Sequence, residues 1–268
     1  PAHRVEDVLC LLTRDLGIEG VFSATPSVLL MDIRSTDRHD IRIERIHKNE
    51  IDLTRLRQLD QLFNQVASGS MTPSEGLVAL DRIIAAPPRF GKTHDFIAYG
   101  LTSACATPMF GGSFTDMVLG LTAGTAVALV SLLAPVRLLV PLGGFSAALT
   151  VAVLAPLLPA VNLDAVTLSG VIVLVPGFTL TLGVSELVTH NITAGVSRLG
   201  AALITALSLS FGVLMGRTVG GSLVDLNTLM SSTPAPTWAA WLVLPVAVMT
   251  INVLFRAPVR QWGWIILT

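Results

Sequence analysis

Five residues in the apolar part of this sequence could do chemistry that a plain membrane anchor does not need: Asp116, Pro176, Gly177, Glu186 and His190. A carboxylate in hydrocarbon costs a few kcal/mol on insertion scales, so it normally faces a cavity or a partner. Asp116 and Glu186 are therefore candidates for meeting a cationic substrate group or relaying a proton. Both also lie near the ends of apolar runs, where an interfacial carboxylate is the plain alternative. Pro176-Gly177 is placed differently, in the middle of the run 164–188. Proline removes one backbone hydrogen bond and glycine relaxes the turn. Irregular backbone at that depth survives where it is buried in protein or lines a wet cavity, and transporters bind substrates at such breaks. A simple proline kink is the competing reading. Glu186 and His190 follow the break and would stand at the cytoplasmic mouth of such a path.

The elements that must hold these residues follow from composition. The chain has 268 residues, 52% of them hydrophobic and 13% charged, with a mean hydropathy of +0.71. Soluble domains carry roughly 25% charged residues. Only nine of the 35 charged residues fall in 96–268, so the front third and the remainder are different materials. The expected organisation is an α+β soluble N-terminal domain over 1–93, then an all-α polytopic membrane domain. Its first five helices would fill 94–217, and 218–268 would be a linker and the start of a second membrane domain.

At about 20 residues per crossing, six transmembrane helices are expected: 95–112, 114–134, 138–159, 164–188 (interrupted at 176–177), 196–216 and 238–255. Trp238, Trp241, Trp262 and Trp264 would anchor the last one at the interfaces. Arg89, Lys92, Arg137, Arg198, Arg256 and Arg260 would all face the same side as the front domain, which the positive-inside rule makes cytoplasmic. Arg217 alone would lie outside, with Asp164 and Asp225. Gly111, Gly112, Gly120 and Gly124, then Gly143 and Gly144, are small residues spaced to let membrane helices pack closely.

In the front domain the spacing predicts an α-β-β-α-α order. A helix over 5–16 stops at Gly17. Strands follow at 28–33 and 40–47, with a hairpin loop at 35–40. A third element is capped by Asp52. A last helix opens with Thr72-Pro73-Ser74-Glu75 in capping-box register. Ser27, His39, Asp40 and His47 invite a hydrolase reading. No nucleophile elbow, paired metal-binding histidines or glycine-rich phosphate loop supports it, and no enzyme activity is expected. Nor is a metal or a cofactor, since His39 and His47 lack ligand spacing. Cys10 and Cys105 imply no disulfide framework. A net charge of −1 gives no electrostatic case for nucleic acid. The first residue is not Met and the last lies in an apolar stretch, so the sequence reads as a fragment of a longer protein.

Several stretches together resemble the threonine/serine exporter family of secondary transporters. They are the RVEDVL opening, ATPSVLLMDI, LxxLDxLFNQVASGSMTPSEGLVALDRI, FGGSFTDMVLGLTAG and VPGFTLTLGVSELVTHNITAGVSRLG, in that order over about 4–217. The tail FRAPVRQWGWI looks like the start of the family's second, smaller membrane domain, which would continue in the same chain or stand on a separate one. The resemblance implies export of small polar amino acids, threonine and serine, driven by the proton motive force. It also implies an integral protein of the bacterial cell membrane that works in a lipid bilayer and could form a homo-oligomer. A dicarboxylate exporter of the succinate type would share these features. Asp116, Pro176, Gly177 and Glu186 are the motif positions carried over.

Overall fold

A computed structural model describes residues 2–15, 17–35, 38–46, 51–225 and 230–263. His47, Trp264, Leu16 at the end of the first expected helix, and part of the expected 35–40 loop lie outside these residues. The described residues form a mostly helical chain with one small sheet near the N-terminus. They cluster into two compact units, Pro1–Pro87 with Pro176–Leu203, and Pro88–Val175 with Ile204–Thr268.

The first unit opens with α1, Ala2–Asp15, which ends at Gly17 with φ 69°. Gly17 N donates to Arg14 O and Ile18 N to Thr13 O, the paired bonds of a left-handed helix stop. Three antiparallel strands follow in the order β1 Glu19–Ala24, β2 Val28–Ser35, β3 Arg38–Arg45. The first strand was not expected. Its signal is short, with only Phe22 and Ala24 buried in alternation. The turn Thr25-Pro26-Ser27, read as the lead into one strand, closes a hairpin between two: Thr25 N donates to Val28 O, and Val28 N to Thr25 Oγ1.

Two helices follow as read. α2, Leu53–Ala67, starts at Asp52, whose carboxylate accepts from Arg55 N at 2.9 Å. α3, Pro73–Ala85, starts with the full capping box of Thr72 and Glu75. Glu75's carboxyl is held below its ordinary pKa, first by the Thr72 hydroxyl and then by the Thr72 backbone N–H. The unit is completed by α8, Gly177–Val188, and by the opening turns of α9, Ile192–Leu223. Ala194 of α9 is buried with Ala24, and Leu29 packs against the pair.

The second unit holds α4 Lys92–Met109, α5 Asp116–Leu133, α6 Leu139–Leu154, α7 Leu163–Val171, the later part of α9 and α10 Thr237–Leu254. Among the described residues four helices are long and apolar enough to cross a membrane. They are α5, α6 with its 3-10 extension to Leu157, α9 and α10. A fifth is added if Leu163–Leu174 and α8 count as one broken span. α4 occupies the first of the six expected crossings but is not among them. It begins Lys-Thr-His-Asp and carries threonine and serine through its length. It needs little apolar surface of its own, because its neighbours cover it. Ala98, Gly100 and Thr102–Thr107 are buried, and it packs against α5, α7 and α10.

Close backbone approach makes this packing possible. A Cβ at Gly120 would stand 2.2 Å from Thr107 Oγ1, and one at Gly124 would stand 2.7 Å from Tyr99 O. On α9 the residues Gly212, Gly216 and Gly220 press against α6, with Cβ positions 2.1 Å from Pro141 O, 2.5 Å from Phe145 O and 2.3 Å from Ala152 Cβ. This four-residue spacing is the small-residue pattern by which apolar helices associate without hydrophobic drive. The core it leaves room for is Leu119, Ala123, Val127, Ala147, Val151, Val166 and Leu209.

Gly216→Ala should therefore lower thermal stability in detergent by roughly 1–3 kcal/mol, since backbone oxygen cannot step aside like a side chain. Gly200→Ala, where a Cβ meets nothing within 4 Å, should leave stability unchanged or raise it by about 1 kcal/mol through helix propensity. Equal melting shifts in the two variants would show that the stripe is not a tight contact.

Candidate functional site

The second unit contains one wholly buried carboxylate with an unusual environment. Asp116 is the first residue of α5, and its position is fixed by the turn before it. Gly111, with φ 85°, turns the chain out of α4. Ser113 N then donates to Asp116 Oδ2 at 2.8 Å, while Asp116 N donates to Ser113 Oγ at 3.1 Å. A carboxylate in the first helical turn also meets the positive end of the helix dipole.

Two further segments close on the same oxygen. Asn162, the N-cap of α7, points its backbone N–H at Oδ2 from 3.4 Å and donates Nδ2 to Gly111 O at 3.2 Å. Ser232, in the segment leading into α10, donates its hydroxyl to Oδ2 as well. That segment is itself tied down: Ala235 N donates to Gly112 O and Val161 N to Met230 O. One carboxylate oxygen thus joins the α4–α5 turn, the start of α7 and the approach to α10. The other oxygen, Oδ1, is buried with no partner among the described residues. A buried carboxylate oxygen left bare carries a desolvation cost that a proton or a cation would relieve.

Beside it lies a strip of buried hydroxyls. Gly112 fits between Thr107 and Asp116: a Cβ there would be 2.5 Å from Thr107 Cγ2 and 3.4 Å from Asp116 Cβ. Thr107 Oγ1 and Ser169 Oγ of α7 are 2.8 Å apart, and either can donate. Ser103, one turn back on α4, is wholly buried, as is Ser169. On the far side of α4, Thr102 donates to Thr250 of α10 at 2.8 Å. α4 thus carries hydroxyls on two faces, one toward α5 and α7 and one toward α10.

Glu186 belongs to the first unit. It too is wholly buried, and Arg198 Nε donates to its Oε2 at 2.8 Å. The pair follows from the α8–α9 hairpin. A Cβ at Gly183 would meet Leu199 at 3.0 Å, and one at Gly195 would meet Leu187 at 2.7 Å and Gly183 O at 2.9 Å, so the helices nearly touch. The turn between them is a Schellman stop, with Asn191 N donating to Glu186 O and His190 N to Leu187 O. His190 occupies the left-handed position with φ 62°, where glycine is usual, and its side chain is exposed. The sequence alone does not pair Arg198 with Glu186, because eleven residues and a tight turn separate them. The hint was the Gly183 and Gly195 spacing on either side of that turn.

At Pro176-Gly177 the helix does break. Residues 172–174 wind into a 3-10 turn, and Val175 is extended at ψ 127°, as a residue before proline tends to be. Pro176 caps α8, its carbonyl accepting from Leu180 N at 3.0 Å. A Cβ at Gly177 would meet nothing within 4 Å, so packing does not demand glycine there. Among the packing glycines, a Cβ at Gly143 would stand 2.4 Å from Leu174 Cδ1 and one at Gly144 2.7 Å from Leu209 O.

In the front domain Ser27 and His39 stand at opposite ends of β2's pairings: Val28 pairs with Arg45, while His39 pairs with Arg34. Strand geometry separates them by roughly 20 Å, so they make no nucleophile–base pair. His39 instead binds Asp32 at 2.6 Å. Partial desolvation works to raise Asp32's pKa, but hydrogen bonds and charge from Arg34 and His39 outweigh it and hold the carboxyl low. Among the described residues no three His, Cys, Asp or Glu side chains gather as a metal site would require.

Comparison with known families decides the classification. The model of a family described as "Putative threonine/serine exporter" matches residues 1–220. The chain belongs to the threonine/serine exporter family. Relatives of this exporter-family chain include "Pheromone-regulated membrane protein 10" of Zygosaccharomyces rouxii, 25% identical over 96% of this chain and 27% of the relative. The protein of the same name in Saccharomyces cerevisiae is 23% identical over 97% of this chain and 35% of its own length. "Uncharacterized protein C7D4.12c" of Schizosaccharomyces pombe is 26% identical over 98% of this chain and 37% of its own length. The chain thus spans between about a quarter and somewhat over a third of these curated relatives. No solved structure gives a significant match. Family and apolar helices together make this an integral membrane protein.

The Glu186–Arg198 contact changes what a substitution there should do. Removing one partner of a buried pair strands the other charge, at a cost on the order of 3 kcal/mol, eased here because Arg198 is a quarter exposed. Glu186→Gln should therefore lower the melting temperature, and adding Arg198→Met should recover much of the loss. A double variant no more stable than Glu186→Gln alone would show that the pair is not coupled.

Proposed function

We propose that this chain carries the front domain and membrane-crossing helices of a secondary transporter that exports threonine and serine, driven by the proton motive force. One observation carries the reading. Asp116 is a wholly buried carboxylate with one oxygen held by three donors and the other bare, set beside the Thr107–Ser169 hydroxyls. An intramembrane carboxylate of this kind suits proton relay or binding of a substrate ammonium. The neighbouring hydroxyls can accept from and donate to a small polar solute. The membership in an exporter family supports the same reading. The irregular backbone before Pro176, a 3-10 turn followed by extended Val175, also suits the reading, because transporters bind solutes at such breaks.

The orientation we propose rests on the distribution of charge within the second unit. Asp95 at the start of α4 approaches Arg256 beyond the end of α10 at 3.9 Å, so these two ends coincide. Arg89, Lys92, Arg137, Arg256 and Arg260 gather at that end, and Asp116, Asp164 and Arg217 at the other. Positive charge favours the cytoplasm, and the charged stretch 1–87, which runs directly into Pro88 in the sequence, is proposed to lie on that side. Aromatic pairs mark both ends, Phe90 with Trp262 and Phe114 with Trp238, as interfacial belts do.

Two measurements test this. In proteoliposomes holding the full-length protein, an imposed pH gradient should drive labelled threonine out, and Asp116→Asn should cut that flux by about tenfold or more, the scale of ordinary coupling energies. Gradient-driven flux at the wild-type rate in Asp116→Asn would remove the residue from the mechanism. For orientation, Cys10 and Cys105 are first replaced. A cysteine at Leu157 should then react with an impermeant thiol reagent in intact cells, and one at Asp40 should not. The reverse pattern would invert the topology.

A further inference from the structure

Arg217 is the basic residue that the charge distribution leaves on the outer side. It does not stand alone: its guanidinium donates to Asp164 Oδ1 across 53 positions of sequence. The pair stands at the rim of a cavity of about 180 Å³ lined by Ala148, Val151, Ala152, Leu163, Asp164, Thr167 and Arg217. The cavity lies on the face of α7 turned away from the Asp116 cluster. Ser169 and Asn162 look toward α4 and α5, while Leu163 and Thr167 look toward α6 and α9.

Resting on the transport reading above, we propose that this cavity is an outer recognition subsite for a zwitterionic α-amino acid, with Arg217 taking its carboxylate and Asp164 its ammonium. The two charges of such a solute sit on one carbon atom. A site can hold both with opposite side-chain charges set close together, which the Arg217–Asp164 pair offers. Arginine's fork matches a carboxylate with two parallel donors. An ion pair this exposed, with Asp164's side chain 78% accessible, is weakly held and readily exchanged for ligand contacts. Behind the pair, Thr167 is buried, and its hydroxyl donates to Leu163 O at 2.6 Å, which leaves its lone pairs free to accept. Ala148 and Ala152 form a shallow apolar wall that fits a methyl group. The recess has room for a small solute of threonine's or serine's size.

The space beside the pair is a half-open recess between α6, α7 and α9, so a solute can reach both charges from outside. The glycine stripe on α9 explains how the space persists. Gly216 and Gly220 seat α9 against Phe145 and Ala152 on either side of Arg217, so the arginine projects over the cavity while the backbone stays in contact.

The test uses binding of labelled L-threonine to the purified full-length protein, with three competitors. The amino alcohol of threonine lacks the carboxylate, 2,3-dihydroxybutyrate lacks the ammonium, and phosphoethanolamine stands for a lipid headgroup. The wild type should prefer threonine to each by about tenfold or more, because a site built to pair a polar group rejects the analogue without it. Arg217→Gln should erase the preference over the amino alcohol and keep that over the dihydroxy acid. Asp164→Asn should do the opposite. Arg217→Lys, which keeps charge and fold but loses the fork, should bind threonine several-fold more weakly. Wild-type threonine affinity in all three variants would overturn the subsite while leaving the transport reading intact. So would full recovery of affinity in the Arg217→Asp, Asp164→Arg exchange, which would mark the pair as a tie. Phosphoethanolamine outcompeting threonine would assign the cavity to a lipid. A wild-type protein that neither binds nor moves an amino acid would overturn both readings together.

Discussion

Helices surrounded by lipid gain nothing from hiding apolar side chains from one another, because the lipid tails are equally apolar. What holds them is contact between backbones, and backbones touch only where side chains are small. That constraint organises the second unit. Gly120 and Gly124 bring α5 onto α4, and Gly212, Gly216 and Gly220 bring α9 onto α6. Once α4 is enclosed by α5, α7 and α10, it is free of the requirement to be apolar. It then carries Thr102, Ser103 and Thr107 into the middle of the unit at little cost, because each hydroxyl finds a backbone carbonyl or another hydroxyl. The polar interior is a product of the close packing around it.

The two buried carboxylates solve the same problem differently. Glu186 is matched by a cation on the facing helix. Asp116 is matched on one oxygen by neutral donors from three segments, and on the other by nothing among the described residues. A paired charge is a fixed structural element. A half-satisfied one remains available to a proton or a ligand. This difference, more than burial itself, separates the two residues in the proposed mechanism.

Features written in a few neighbouring residues were legible in the sequence. The capping box of Thr72 and Glu75, the Asp52 cap and the Gly17 stop all involve atoms within five positions of each other. The break at Pro176 was legible because proline acts on its own backbone. Features that depend on distant partners were not. β1 is a strand because β2 pairs with it, and its own six residues state that weakly. Arg198 was read for its charge and Arg217 for its side of the membrane. Neither reading could supply Glu186 or Asp164 as a partner. α4 reads in the sequence as a short crossing that contains Pro108, whereas its character comes from the helices that cover it. Asp116 was found as an anomaly of composition, but its three donors come from residues 46 and 116 positions away and from the adjoining turn.

The broken helix also bears on how the protein enters a membrane. Leu163–Leu174 and Gly177–Val188 are twelve residues each, about 18 Å of helix at 1.5 Å per residue, against a hydrocarbon core of about 30 Å. Neither segment is long enough to be accepted into lipid on its own apolarity. α7 is instead surrounded by α4, α5 and α6, with Ala165, Val166, Ser169 and Gly170 buried among them. Its insertion must wait for those helices to provide a protein environment in place of lipid. The seat of α7 thus depends on α4 and α5, and a substitution that displaces either would disturb α7 as well.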